Sequence, residues 1–177
     1  FIKDKEIAEK LAEDINEMEK MLNEYLQFTS SSYLEKDEKF NLTELIDIIV
    51  KKYNNKNISK NLTTDIYING RKNLIQRCIN NLIDNGIKYG DKVNVDLIKN
   101  NNNLFIKIED NGPGIPDQNY EDVFKPFFSL DPSRNKLKGE SGLGLSITRD
   151  IIRSHGGDVK LSDSNLGGLQ LKVLLPL

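Results

Sequence analysis

The 177-residue sequence contains one cysteine, one histidine and no tryptophan. A single cysteine closes no internal disulfide, so a disulfide-stapled secreted fold is excluded. One cysteine with one histidine also excludes a structural zinc site, which needs about four such ligands. No apolar run approaches the roughly 20 residues that cross a bilayer, and no signal-like apolar core stands at the N-terminus. Neither sign of charge is in excess: 25 Lys+Arg stand against 27 Asp+Glu, a net charge of −2. That balance argues against the broad basic surface of a nucleic-acid binder. The sequence opens Phe1-Ile2-Lys3-Asp4 without an initiator methionine and reads as a piece of a longer protein. Its length suits one domain with a small appendage.

Residues 3–29 hold neither glycine nor proline. Within them Ala8, Leu11, Ile15, Met18, Leu22 and Tyr25 follow a 3-4-3-4-3 spacing, the seam of a coiled coil. The spacing predicts a long helix of about seven turns. Its narrow apolar stripe calls for a partner helix, the alternative being an amphipathic helix packed on its own domain. Thr29-Ser30-Ser31-Ser32 ends the pattern, and the polar residues up to Phe40 read as a linker. Asn41 can cap a helix over 42–53, with Glu44 three residues on. Residues 62–68 alternate like a strand. A second helix is expected over 71–89, with Leu74, Ile75, Cys78, Ile79, Leu82, Ile83 and Ile87 on one side and Gly90 at its end. Strands over 92–99 and 104–109 flank an asparagine turn. Residues 110–141 are rich in Gly, Pro and charge, and a loop of that length in a compact domain is usually functional or mobile. A helix over 143–154 and strands over 158–162 and 169–175 complete the order. Helices segregated from a mainly antiparallel sheet predict an α+β fold, a two-layer α/β sandwich. The divisions are 1–33 for the long helix, 34–40 for the linker and 41–177 for the domain.

Four clusters carry chemistry. In Asn81-Leu82-Ile83-Asp84-Asn85-Gly86-Ile87-Lys88-Tyr89, the side chains of Asn81, Asn85 and Lys88 share one helix face. Carboxamide oxygens suit Mg²⁺ and a lysine suits phosphate, although a solvated polar face gives the same row. Asp110-Asn111-Gly112-Pro113-Gly114-Ile115 directly follows a strand. Its carboxylate can accept from an exocyclic amine, and its glycines let backbone approach a flat ligand; a plain turn is the alternative. Asp122-Val123-Phe124-Lys125-Pro126-Phe127-Phe128 places three aromatics in a polar loop, where they can pin a lid or form a local plug. Gly139-Glu140-Ser141-Gly142-Leu143-Gly144-Leu145 opens a helix, and such a start presents N–H groups and a positive dipole end to phosphate. It is neither a Walker A loop, having no Gly-Lys-Ser/Thr, nor a dinucleotide fingerprint, because loop rather than strand precedes it.

In this order and spacing the clusters resemble the ATP-binding catalytic domain of two-component sensor histidine kinases, in the wider group of gyrase, Hsp90 and MutL. NLIDNGIKY resembles the N-box, DNGPGI the first glycine box, FKPF the F-box and GESGLGL the second glycine box. The likeness covers about residues 40–177, and residues 3–29 resemble the second helix of the dimerisation and phosphotransfer hairpin. The closing GGLQLKVLLP and the stretch Leu130-Asp131-Pro132-Ser133-Arg134 resemble the osmolarity-sensor EnvZ subgroup.

The resemblance implies a Bergerat-type ATP-binding fold with ATP and Mg²⁺ as its ligands. It implies that Asn85 coordinates the Mg²⁺, supported by Asn81. Lys88 and Tyr89 would contact phosphate and adenosine, and Asp110 would read the adenine amine. Gly112, Gly114 and Ile115 would close on the base, and Ser141, Gly142, Leu143, Gly144 and Leu145 would cradle the phosphates. Arg134 would hold the γ-phosphate, with Lys138 a second candidate. Asn81 stands where the hydrolysing branches carry a water-activating Glu. An amide has no basicity to polarise water, so the resemblance implies phosphoryl transfer rather than efficient hydrolysis; the alternatives are a gyrase/Hsp90/MutL-like ATPase and a non-catalytic nucleotide-binding scaffold. The acceptor His of such kinases would precede residue 1, and His155 reads instead as a helix C-terminal residue. Gly86 stands where the family usually has Ala, at up to about 1 kcal/mol of helix stability. The implied partners are a response-regulator receiver domain and, through the helical region, a second copy of the protein, with no nucleic acid. The implied location is the cytoplasmic portion of an inner-membrane sensor, with no membrane span in this chain.

Overall fold

The computed structural model describes residues 35–54, 56–130 and 142–177, together with scattered positions between 7 and 26. In chain order the elements are β1 (Glu38–Asn41), α1 (Leu42–Lys51), β2 (Ile58–Leu62), β3 (Tyr67–Gly70), α2 (Lys72–Tyr89), β4 (Val93–Asn100), β5 (Asn103–Asp110), α3 (Gly144–Ser154), β6 (Asp158–Asp163) and β7 (Leu169–Pro176). Two short 3₁₀ turns, Asp117–Asn119 and Asp122–Phe124, lie between β5 and α3.

Alternation builds the sheet. Val93, Val95 and Leu97 on β4, Leu104, Ile106 and Ile108 on β5, and Leu171, Val173 and Leu175 on β7 all point to one buried face. The intervening residues face outward, where the Lys172 ammonium lies 4.3 Å from the centre of the Phe105 ring. The buried face meets α1, α2 and α3 in a single core, so the fold is a two-layer α+β sandwich. The five-stranded sheet runs β2-β4-β5-β7-β6. Its pairings are antiparallel except β2 with β4, which is parallel.

The three helices follow the apolar spacing of the sequence. Asn41 caps α1 by accepting from the Glu44 N–H at 3.1 Å. The first turn of α2 has no cap from its own Arg71 side chain. Glu35 supplies one from upstream, accepting from the N–H groups of Asn73 at 2.6 Å and Leu74 at 3.2 Å.

The strands depart from the sequence reading in two places. β1, whose residues 38–40 read as linker in the sequence, pairs antiparallel with Tyr67–Gly70 in a separate two-stranded sheet. Only Phe40 of that strand is buried, so one apolar residue among charges gave no period-2 signal. The single strand expected over 62–68 is two strands in two sheets. Asp65, at φ 55°, takes a left-handed turn between them.

Each described position between 7 and 26 is helical. No continuous long helix is described there, and Tyr25 of the proposed seam lies outside the described residues.

Candidate functional site

The C-terminal half of α2 is the spine of the site. Asn81 reaches from it to α3, its Nδ2 donating to the Gly144 carbonyl at 3.4 Å and to Thr148 Oγ1 at 3.5 Å. One turn on, half-buried Asn85 has no hydrogen-bond partner among the described residues, so its carboxamide is open to a ligand. Gly86 is buried against β4 and β5. A Cβ there would stand 3.1 Å from Val93 Cγ2 and 3.8 Å from Asp110 Cβ, so the glycine lets the helix sit close to the strand that carries Asp110. Lys88 lays its ammonium 4.3 Å from the centre of the Tyr89 ring and donates to the Tyr89 hydroxyl at 2.6 Å.

Asp110 ends β5 and is buried. Its Oδ1 accepts from two backbone N–H groups, Gly112 at 2.8 Å and Leu169 at 3.2 Å. Its Oδ2 has no partner among the described residues. Burial pushes the carboxyl above the usual carboxylate range, and the Gly112 and Leu169 N–H groups only partly offset that. One carboxylate oxygen is therefore fixed by backbone and the other is left to accept from outside. Gly112 backs against the end of α2, where a Cβ would stand 2.6 Å from the Tyr89 carbonyl oxygen. Gly114 turns the chain at φ +70°. Asn111 accepts from the N–H groups of Asp91 and Lys92, both at 2.8 Å, and ties this loop to the segment after α2.

The start of α3 forms the third side. Leu143 is buried at its N-cap, and its apolar side chain supplies no cap bond to the first turn. Among the described residues, a Cβ on Gly144 would meet nothing within 4 Å, so their packing does not require glycine there. Gly142, at φ +64°, accepts at its carbonyl from the Phe127 N–H at 3.1 Å. The aromatic cluster divides: Phe124 is buried, Phe128 packs on the core, and Phe127 is 61% exposed. Ile115 and Leu145 pack partly against the core. Arg134, Lys138 and Ser141 lie outside the described residues.

His155 sits at the far end of α3. Its Nε2 accepts from the Arg71 N–H at 3.1 Å, which places the ring proton on Nδ1, where it donates to the Ile151 carbonyl at 2.7 Å. Both ring nitrogens are thus engaged in tying α3 to the start of α2.

The sequence reading assigns no functional role to Glu109, Asn165 or Gly168. Buried Glu109 accepts from the backbone N–H of Asn165 at 3.1 Å and from its side chain at 3.0 Å. Gly168 N–H donates to the Asp110 carbonyl at 3.1 Å. The turn around Asn165–Gly168 is itself expected from the sequence between the last two strands; its contacts with Glu109 and Asp110 are not.

Residues 70–177 match the model of the family described as histidine kinase-, DNA gyrase B-, and HSP90-like ATPase. The sensor histidine kinase GtrS of Pseudomonas aeruginosa is 31% identical over 180 residues, covering 99% of this chain. The chain spans 37% of the length of that relative. Among solved structures, a mycobacterial sensor histidine kinase, MprB, has a TM-score of 0.67 at 29% identity, over 78% of this chain and 96% of that one. The nucleotide-free catalytic domain of the histidine kinase ThkA has a TM-score of 0.68 at 26% identity, over 80% of this chain and 95% of that one.

Proposed function

This chain belongs to the histidine kinase-, DNA gyrase B- and HSP90-like ATPase family, and we propose that it holds ATP·Mg²⁺ so that the γ-phosphoryl group passes to a histidine rather than to water. The observation that carries the reading is Asp110, a buried carboxylate with one oxygen saturated by backbone and the other open. In that state it is an acceptor only, matched to the exocyclic amine of adenine. Gly112, Gly114 and Ile115 would bring backbone against the base, and Lys88 and Tyr89 would meet the adenosine and phosphates. The N–H groups at the start of α3, from Gly142 through Leu145, would receive phosphate oxygens at the positive end of the helix dipole. Arg134, Lys138 and Ser141 would complete the phosphate side.

Asn85 offers the oxygen for Mg²⁺, which takes hard oxygen ligands and keeps much of its shell on phosphate and water. Among the described residues no three His, Cys, Asp or Glu side chains group as a metal cage, so Asn85 and the nucleotide would share the ion. Bound Mg²⁺ would neutralise charge on the phosphates. Asn81, engaged with Gly144 and Thr148, supports the start of α3 and has no basicity with which to activate water. In the transfer, a histidine ring nitrogen bonds to the γ-phosphorus as the bond to the β–γ bridging oxygen breaks and ADP leaves. Placement and charge neutralisation suffice for such a step.

For the longer protein we propose that residues 1–33 continue a dimerisation and phosphotransfer hairpin, joined through 34–40 to the domain over 41–177. We propose a homodimeric membrane sensor with this part in the cytoplasm, whose phosphohistidine donates to a response-regulator aspartate. No helix among the described residues is long and apolar enough to cross a membrane.

Calorimetry with ATP and Mg²⁺, paired with an assay of released phosphate, tests the reading. It expects Mg²⁺-dependent binding without steady phosphate release. Steady release would place the chain with the hydrolases, and absence of binding would leave a scaffold module.

A further inference from the structure

Asp110 does not hold its orientation alone. The turn between β6 and β7 lies directly behind it. Glu109 fixes that turn by accepting from both the backbone and the side chain of Asn165. Within the turn, Ser164 N–H donates to the Gly168 carbonyl at 2.9 Å and Gly167 N–H to the Ser164 carbonyl at 3.0 Å. The next two N–H groups both go to Asp110: Gly168 to its backbone carbonyl at 3.1 Å and Leu169 to Oδ1 at 3.2 Å.

There is no room for a side chain at this contact. A Cβ on Gly168 would lie 2.3 Å from Asp110 Oδ1, 2.4 Å from the Gly112 nitrogen and 2.7 Å from the Asp110 carbonyl oxygen. Two of these three atoms are backbone and cannot yield by rotation. The third belongs to the carboxylate proposed to read the base. The neighbouring Gly167 differs in kind: it has φ +100°, and a Cβ there would meet nothing within 4 Å.

We propose that the β6–β7 turn, clasped by Glu109 to Asn165, is the base-specificity element of the site, and that Gly168 is a positioning residue setting adenine selectivity through Asp110. This rests on the reading of Asp110 as the adenine acceptor. The turn fixes Oδ1 and so aims Oδ2. A methyl group at 168 displaces the carboxylate and Gly112 together, while the phosphate groove at the start of α3 is built from other residues. Selectivity for the base is therefore lost ahead of affinity for the diphosphate.

The test compares the affinities of ADP and inosine diphosphate, which carries a carbonyl in place of the amine. Wild type, Gly168→Ala and Gly167→Ala are measured with a melting curve for each. Wild type is expected to prefer ADP by about 10- to 100-fold, the range of a hydrogen bond to a charged group. Gly168→Ala is expected to bring the two affinities within about threefold by weakening ADP, with inosine diphosphate little changed. Gly167→Ala is expected to strain the turn and keep the preference. Wild-type preference retained in Gly168→Ala overturns the role of the turn and leaves the assignment of Asp110 standing. Equal loss in both glycine variants overturns the contact at 168. Wild type without preference overturns the adenine assignment and this inference with it. If Gly168→Ala does not fold, Asn165→Ala carries the test, since it removes the side-chain half of the clasp without adding bulk. Its ADP preference is expected to fall, and an unchanged ratio overturns the proposal.

Discussion

At the scale of single residues, Asp110 is a charge kept where burial disfavours it. Its folded carboxyl titrates above the ordinary range, with burial the largest cause. The folded state therefore takes up a proton more readily than the unfolded chain. Stability from this group rises as pH falls through the folded value, and its charged form at neutral pH opposes folding. Asp110→Asn removes that charge. An amide that keeps its oxygen on the Gly112 and Leu169 N–H groups turns its NH₂ outward, donor against the donor of adenine. The variant is expected to melt no lower than wild type while losing about 10- to 100-fold in ADP affinity by calorimetry. In wild type, ADP affinity should begin to fall at a pH above the ordinary carboxylate range. A normal affinity in the variant would refute the role given to this side chain. Asp110 was legible in the sequence because Asp, Asn and three small or rigid residues stand together at a strand end. Gly168 was not, since its reason is a carboxylate on another strand, and nothing beside it in the chain records that contact.

At the scale of elements, Arg149 fastens α3 to the segment before the second glycine box. Its guanidinium forks onto Glu121 at 2.7 and 3.3 Å, meets Asp158 at 3.1 Å, and lies 4.4 Å from the centre of the Phe124 ring. Burial pushes the Asp158 carboxyl up, but Arg153, Arg149 and the Val159 N–H outweigh it and hold the value at about 2. The stability this brings is present above the unfolded value near ~4 and is lost as pH falls toward about 2. Arg149→Ala breaks all three anchors. Because Glu121 is largely exposed, solvent screening limits the expected cost to about 1–2 kcal/mol. Hydrogen exchange should speed up across the Asp117–Asn119 and Asp122–Phe124 turns, and an unchanged exchange pattern there would contradict the fastening role. The helices were legible from 3.6-residue periodicity, and α1 even from its cap. β1 and β2 were not, since β2 is nowhere fully buried and β1 buries only Phe40, so neither prints an alternating pattern.

At the scale of the whole molecule, α2 stands between the loop that ends β5 and the start of α3. Asn81 contacts Gly144, Gly86 backs onto Asp110, and Gly112 backs onto Tyr89. The α+β class and the helix–sheet layering followed from element order, whereas the parallel β2–β4 pair did not. A parallel neighbour depends on how residues 63–92 cross over, which period-2 patterning leaves open. Toward the N-terminus, Ile7, Leu11, Ile15, Met18, Leu22 and Leu26 are 49–68% exposed. Apolar exposure in a row of that kind fits the partner helix proposed for the intact protein. The central claim is that Asn85, Asp110 and the first turn of α3 serve one adenine nucleotide, and a crystal structure with Mg²⁺ and a non-hydrolysable ATP analogue tests it most directly. The account predicts the base amine on Asp110 Oδ2, the metal on Asn85 and phosphate oxygens on the N–H groups that open α3; a nucleotide seated in any other cavity, or with its base away from Asp110, would contradict it.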